Sequence, residues 1–271
     1  PGGATGAMDK ALDGLIRRLI SRREFKGKLG ETAVLHVSGK PFEKVVLVGL
    51  GKSGEFNLQR ARQAAAAAAR AAARGQTRRL ATIVHGAGIG GLDPQEAAQA
   101  VVEGSLLALY RYDRLKTDPD DQVSRVQELI VTEMDASKLD ALRAGIHRGQ
   151  IMAEGTCLAR DLANTPSNML TPAKMAEEAR RLAQEWGLEY EVLEPAEMER
   201  LGMGALLAVA KGSQEPPRLI ILRYQGGRRG EPPLALVGKG ITFDTGGISL
   251  KPSQGMEEMK FDMAGGAAVL G

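Results

Sequence analysis

VGKGITFDTGGISLKPSQGMEEMKFDM, residues Val237 to Met263, places Lys239, Lys251 and Lys260 beside Asp244, Asp262, Glu257 and Glu258, with five glycines and neither histidine nor cysteine. It follows an apolar run, Pro233 to Val237, that reads as a buried strand. Open α/β sheets bind ligands beyond the carboxyl ends of their strands, and this stretch falls in that zone. Gly238, Gly240, Gly246 and Gly247 let backbone fold tightly around a small object. A surface salt-bridge cluster would explain the charges. It would not explain the glycines, nor Phe243, Ile248 and Met259 interleaved with them. Carboxylates converging on a pocket need a cation, because an unpaired buried carboxylate is costly. Lysines can supply it, and so can a divalent metal pair with hard oxygen ligands. Spacing alone does not decide between them.

Outward from this stretch, the pattern is that of an α/β protein. Before it come strands at Arg218–Tyr224 and Leu188–Leu193, and a short helix near Pro195–Leu201. A helix capped by Thr171-Pro172 runs to Trp186 and stops at Gly187. A long helical pattern covers Ser137 to Ala163. Earlier still, strands are expected at Thr32–Val37, Lys44–Gly49, Leu80–Val84 and Glu128–Thr132. Helices are expected at Ala7–Ser21, Leu58–Arg74 and from Asp93-Pro94 to about Tyr110. The polar stretch Lys116–Gln122 reads as a loop. This alternation implies a largely parallel sheet. Two domains are expected, 1–135 and 136–271, with the long helix as connector.

The 271 residues are ample for real cores, and 43% hydrophobic with 25% charged residues is ordinary globular composition. No apolar run approaches the roughly 20 residues that span a bilayer, and the opening residues carry no secretory pattern. A single cysteine, Cys157, cannot form an internal disulfide, which points to a reducing compartment, the cytoplasm. Cys157 and Trp186 are expected in packing roles, and His36 and His147 on element faces. Three scattered histidines argue against a histidine-based zinc site.

The net charge of +3 is uneven. Residues 1–130 carry 20 Lys and Arg against 14 Asp and Glu, and Asn57 to Leu92 holds six arginines and no acid. Such a run suits nucleic acid or a membrane surface, but no aromatic is interleaved with it, and a solvated helix face is the preferred reading. Gly49-Leu50-Gly51-Lys52-Ser53-Gly54 matches a dinucleotide-binding spacing. The acid that should follow about 20 residues on, to hold a ribose, is missing. A tight strand-to-helix turn explains the motif, and a flexible loop explains His85 to Gly91.

VGKGITFDTGGISLKP with MKFDMAGGAAV closely resembles the signature region of the cytosolic leucyl aminopeptidases, the M17 metallopeptidases. ARDLANTPSNMLTP, Ala159 to Pro172, resembles the segment that opens that family's catalytic domain, and a weaker likeness runs back through KVVLVGLGK and Tyr110–Lys116. The resemblance implies a mixed-sheet α/β N-terminal domain, non-catalytic and oligomerising or regulatory, joined to an incomplete α/β catalytic domain. It implies two divalent metal ions, manganese or zinc, a bicarbonate base, peptide substrates and a homohexamer. By position, Lys239 resembles the family's lysine metal ligand, Asp244 the carboxylate bridging both metals, and Asp262 a further ligand of the lysine-bound metal. Lys251 resembles the catalytic lysine at the substrate carbonyl oxygen, and Met259 a residue of the side-chain pocket. A lysine ligand must be neutral, so its pKa must fall well below about 10.4.

The family's remaining ligands, an aspartate and a glutamate in an N-T-D-A-E-G-R segment, find no match before Gly271, and neither does the arginine that helps hold bicarbonate. The parent enzyme is therefore expected to remove N-terminal residues from peptides, and the 271-residue chain alone is not. Rival readings are a nucleotide- or ADP-ribose-binding module at the glycine turn and nucleic-acid binding by the basic first domain.

Overall fold

In the computed structural model, residues 2–88, 90–118, 126–228 and 230–271 are described. The chain forms two compact units, Pro1–Glu154 and Gly155–Gly271. They part inside one long helix, whereas the expected division lay near Ala136.

The first unit opens with two helices, α1 (Gly3–Ala11) and α2 (Leu15–Ser21), where one was expected. The apolar period continues through both, but Asp13 and Gly14 take positive φ, at 52° and 77°, and break the helix. The Asp9 carboxylate, 2% exposed, accepts the backbone N–H of Arg17 at 3.0 Å and satisfies the start of α2. Strands β1 (Thr32–His36) and β2 (Lys44–Val48) pair antiparallel, with Thr32 opposite Val48. Helix α3 (Leu58–Arg74) is capped by Asn57, which accepts from Arg60 N at 3.0 Å, and ends at Gly75. Strand β3 (Arg79–Ile83) leads to α4 (Pro94–Leu109), capped by Asp93 accepting from Glu96 N at 2.9 Å. Strand β4 (Glu128–Thr132) pairs parallel with β3. The part of the expected 116–122 loop beyond residue 118 lies outside the described residues.

The alanines of α3 are there for close approach. Ala61, Ala64, Ala65, Ala69, Ala71 and Ala72 are buried, and α4 packs directly on α3. At the crossing, a Cβ on Gly104 would fall 2.3 Å from the Arg62 carbonyl oxygen. Beside it the buried Glu103 takes Arg62 Nε at 2.5 Å and Gln99 Nε2 at 2.6 Å. Gly104→Val should therefore destabilise the protein by about 1–3 kcal/mol through overpacking. That loss appears even though glycine inside a helix already costs about 1 kcal/mol against alanine. Urea unfolding with an unchanged slope checks it.

In the second unit, α6 (Pro172–Trp186) begins at Thr171 and stops at Gly187 with φ 67°. Strands β5 (Glu189–Leu193) and β6 (Leu219–Arg223) pair antiparallel and pack on α6. Helices α7 (Pro195–Arg200) and α8 (Gly204–Ala210) lie between them in the chain. A 3-10 helix, Met256–Met263, runs into α9 (Ala264–Leu270). The helix shared with the first unit is α5 (Leu139–Asn164). Its second-unit residue Leu162 joins Leu170, Met175, Met263 and Ala267 in a core beneath the candidate site.

Three expectations need correction. Among the described residues only β3–β4 is parallel, and the other two pairs are antiparallel. Pro233–Val237 is not a strand, and Leu234, Leu236 and Val237 are exposed. An apolar run becomes a strand only where a neighbour completes its ladder, and no described strand pairs with it. Trp186 is 60% exposed rather than packed, because it sits on the last turn of α6, just before the chain turns away at Gly187.

Candidate metal and substrate site

The segment between residues 237 and 255 has no regular structure and is shaped by its own backbone. Gly246 and Gly247 take φ of +94° and +74°, a region that side chains rarely tolerate. The Lys251 N–H donates to the Thr245 carbonyl at 2.9 Å and closes the loop. Asp244 sits at its mouth, accepting the Gly246 N–H on Oδ1 at 2.8 Å and the Lys251 ammonium on Oδ2 at 2.8 Å.

Gly255, at φ +75°, starts the 3-10 helix. Residues three apart eclipse in such a helix, so Met259 and Asp262 share a face. Lys251 Nζ lies 3.2 Å from Met259 Sδ, and Lys239 Nζ lies 2.6 Å from Asp262 Oδ1. The fold thus gathers the five sequence-identified residues of the second unit into two contact sets, Asp244–Lys251–Met259 and Lys239–Asp262, with Met259 and Asp262 carried on the same 3-10 helix. Asp244 is held below the ordinary carboxylate range, first by the Lys251 hydrogen bond, then by the Gly246 N–H, against opposition from burial. The charges of Lys251 and Lys239 add to the effect, so the two ion pairs belong to one electrostatic site.

Asp262 carries the feature that two ion pairs alone leave unexplained. Its side chain is 18% exposed, yet its Oδ2 is sealed from solvent and meets no hydrogen-bond partner. An anionic oxygen kept dry without a donor is costly, and a cation beside it removes the cost. Two carboxylates and an amine are suitable donors for a hard or borderline divalent ion. Among the described residues no group of three or more His, Cys, Asp and Glu gathers to hold a metal, so Lys239 is the third donor these residues offer.

Other elements of the sequence reading take different places. Ile248, interleaved in sequence with the charged residues, is fully exposed. Met175 was not singled out, though it lies in the helical register of α6. It packs under the loop, with Sδ 4.0 Å from where a Cβ on Gly240 would lie. The Gly49–Gly54 turn has a structural cause, since a Cβ on Gly49 would fall 2.0 Å from the Lys28 carbonyl oxygen. Gly51 N–H donates to the Gly27 carbonyl at 3.0 Å. In the arginine-rich run, Arg60, Arg62 and Arg79 pair with Glu55, Glu103 and Glu128. His36 and His147 are exposed on β1 and α5, and Cys157 is half-buried.

The loop after β3 starts tightly: a Cβ on Gly86 would meet Leu92 at 2.6 Å and Phe56 at 2.8 Å. Within it, His85 Nε2 is sealed from solvent without a partner, and burial pushes the imidazole pKa below its ordinary 6.5. A folded state that lowers this pKa binds fewer protons than the unfolded chain. The contribution is therefore complete above about pH 6.5 and lost as pH falls toward the folded value. Unfolding free energy should decline between pH 7.5 and 5.5, by no more than about 1.4 kcal/mol per pH unit from this group. The decline should flatten in His85→Phe, as chemical denaturation at each pH would show.

The sequence profile of the cytosol aminopeptidase family, catalytic domain, matches residues 157–271, and that of the family's N-terminal domain matches residues 2–119. The chain belongs to the cytosol aminopeptidase family. A probable cytosol aminopeptidase of Alkaliphilus metalliredigens is 44% identical over 266 residues, covering 97% of this chain and 53% of the relative. One from a Geobacter species is 46% identical over 265 residues, with the same coverage of each. The chain thus spans about half the length of the curated relatives it matches. Among solved structures, a tomato leucine aminopeptidase variant superposes with a TM-score of 0.82 at 31% identity, covering 97% of this chain and 50% of that one. The bottromycin maturation enzyme BotP in complex with manganese superposes at 0.78 and 39% identity, covering 93% and 51%. These matches establish the α/β fold and the family. They lend no support to nucleic-acid binding.

Proposed function

We propose that the protein is a two-metal aminopeptidase that hydrolyses the N-terminal residue from peptides, with Lys239, Asp244 and Asp262 as metal ligands and Lys251 as the catalytic residue. The observation that carries this reading is the dry, partnerless Oδ2 of Asp262 beside the Lys239–Asp262 and Lys251–Asp244 pairs. The metal-bound BotP neighbour and the family assignment support it.

Divalent ions, when bound, would supply Lewis acidity and a water of lowered pKa. The chain's own residues do the rest. The Lys239 amine, once deprotonated, offers a lone pair in place of its proton shared with Asp262. Asp244, oriented by the Gly246 N–H, keeps its carboxylate ionised for metal binding. Lys251 presents a fixed positive charge where the carbonyl oxygen gathers negative charge, a stabilisation worth most in a site shielded from water. Met259, touching that ammonium, gives the substrate side chain an apolar, adaptable wall.

Manganese or zinc as the ions, bicarbonate as a base, a homohexamer, a cytoplasmic location and a non-catalytic role for residues 1–135 belong to the same reading. Their support is the family assignment and the relatives' names. Among the described residues no helix is long and apolar enough to cross a membrane. The test is release of an N-terminal residue from a short peptide by the protein expressed from its complete gene. Activity should require manganese or zinc and vanish when the peptide's amine is acetylated. Equal cleavage of the acetylated peptide would overturn the proposal.

A further inference from the structure

Lys239 is more than half exposed, and an ion pair open to water is too weak to hold so flexible a side chain in one direction. The backbone beneath it is fixed far more firmly. The Lys239 carbonyl accepts the Gly266 N–H at 2.6 Å. A Cβ on Gly238 would lie 2.3 Å from the Gly265 carbonyl oxygen, and one on Gly266 would lie 3.0 Å from the Lys239 carbonyl oxygen. A Cβ on Gly265 would lie 3.2 Å from the Lys239 nitrogen. None of these three glycines has positive φ, so conformational freedom is not what requires them. They are glycines because two backbones touch there.

We propose that this crossing of Gly238 over Gly265 and Gly266 is what aims the Lys239 amine at Asp262, making the three glycines positioning residues for metal binding. The crossing ties the base of Lys239 to the first turn of α9, directly after the 3-10 helix that carries Asp262. A shift between the two backbones therefore displaces amine and carboxylate relative to each other. Gly240 offers an internal comparison. It adjoins Lys239 on the other side, but a Cβ there meets only Met175 Sδ at 4.0 Å, an ordinary contact.

The proposal rests on Lys239 being a ligand, and the experiment separates the two claims. Mn2+ is titrated into the protein expressed from its complete gene, with free Mn2+ followed by electron paramagnetic resonance. Thermal unfolding of the metal-free protein is recorded alongside. Lys239→Ala tests the ligand reading: if it binds Mn2+ like the wild type, that reading fails. If it binds more weakly, the glycine variants decide the inference. Gly238→Ala and Gly266→Ala should weaken binding by about 10- to 100-fold, the effect expected of groups that orient a ligand. Gly240→Ala should bind as the wild type does. A purely structural role would lower thermal stability and leave affinity intact. Gly265→Ala, the mildest intrusion, keeps the question answerable if the tighter substitutions prevent folding, and it should weaken binding several-fold. Folded Gly238→Ala, Gly266→Ala or Gly265→Ala protein with wild-type affinity would overturn the inference, as would equal weakening by Gly240→Ala.

Discussion

Lys251→Met should lower kcat/KM for release of an N-terminal residue by about 100- to 1000-fold, with most of the loss in kcat. The side chain of Lys251 is one-third exposed, with its ammonium anchored at 2.8 Å to Asp244 and in contact with Met259 Sδ. It therefore stands at the border between the charged floor of the site and the apolar wall. A charge there interacts more strongly with a developing oxyanion than with a neutral carbonyl, so its removal acts on the transition state more than on the bound substrate. Methionine keeps the length and apolar stem of lysine, so packing against Met259 is retained. Steady-state kinetics on the protein expressed from its complete gene check the result. A rise in KM with kcat unchanged would assign Lys251 to substrate binding alone.

Asp262→Asn should lower Mn2+ affinity by more than the roughly 100-fold that attends loss of an outer partner. It should change the stability of the metal-free protein by no more than about 1 kcal/mol. The two figures together separate a metal ligand from an ordinary ion pair. The Lys239–Asp262 pair is open to water on the lysine side, so breaking it costs little. The amide also relieves the charge on an oxygen that has no donor. A bound cation would give that oxygen the partner it lacks. A substitution that destabilises the protein strongly while leaving Mn2+ affinity intact would make Asp262 a structural residue.

Much of the fold is written in local chemistry. Asn57 and Gly75 bracket α3, Asp93-Pro94 starts α4, and Thr171-Pro172 and Gly187 bracket α6, each by a capping interaction that needs only neighbours in sequence. The failures are of another kind. The apolar period of residues 7–21 runs straight through Asp13-Gly14, where backbone dihedrals decide instead. Pro233–Val237 has the composition of a strand, but pairing is a property of two segments, and no second one is present among the described residues. The antiparallel pairs β1–β2 and β5–β6 likewise depend on partners that alternation of strand and helix does not specify.

The candidate site divides in the same way. Asp244, Gly246 and Lys251 form a loop whose chemistry is compressed into eight successive residues, so it could be recognised directly. Gathering Lys239 to Asp262 requires the 3-10 helix, which brief apolar spacing does not distinguish from coil. The contact of Gly238 with Gly265 and the support from Met175 exist only through space. The glycines of MAGGAAV were visible, but their purpose was not.

The most direct test of the account is a crystal structure of the protein expressed from its complete gene, grown with manganese and measured at a wavelength where manganese scatters anomalously. Anomalous density should touch the Lys239 Nζ, and both Asp244 and Asp262 should turn carboxylate oxygens toward it, with the Lys239–Asp262 hydrogen bond replaced. Manganese-free density with both lysine–aspartate pairs intact, under conditions where the protein cleaves peptides, would contradict it.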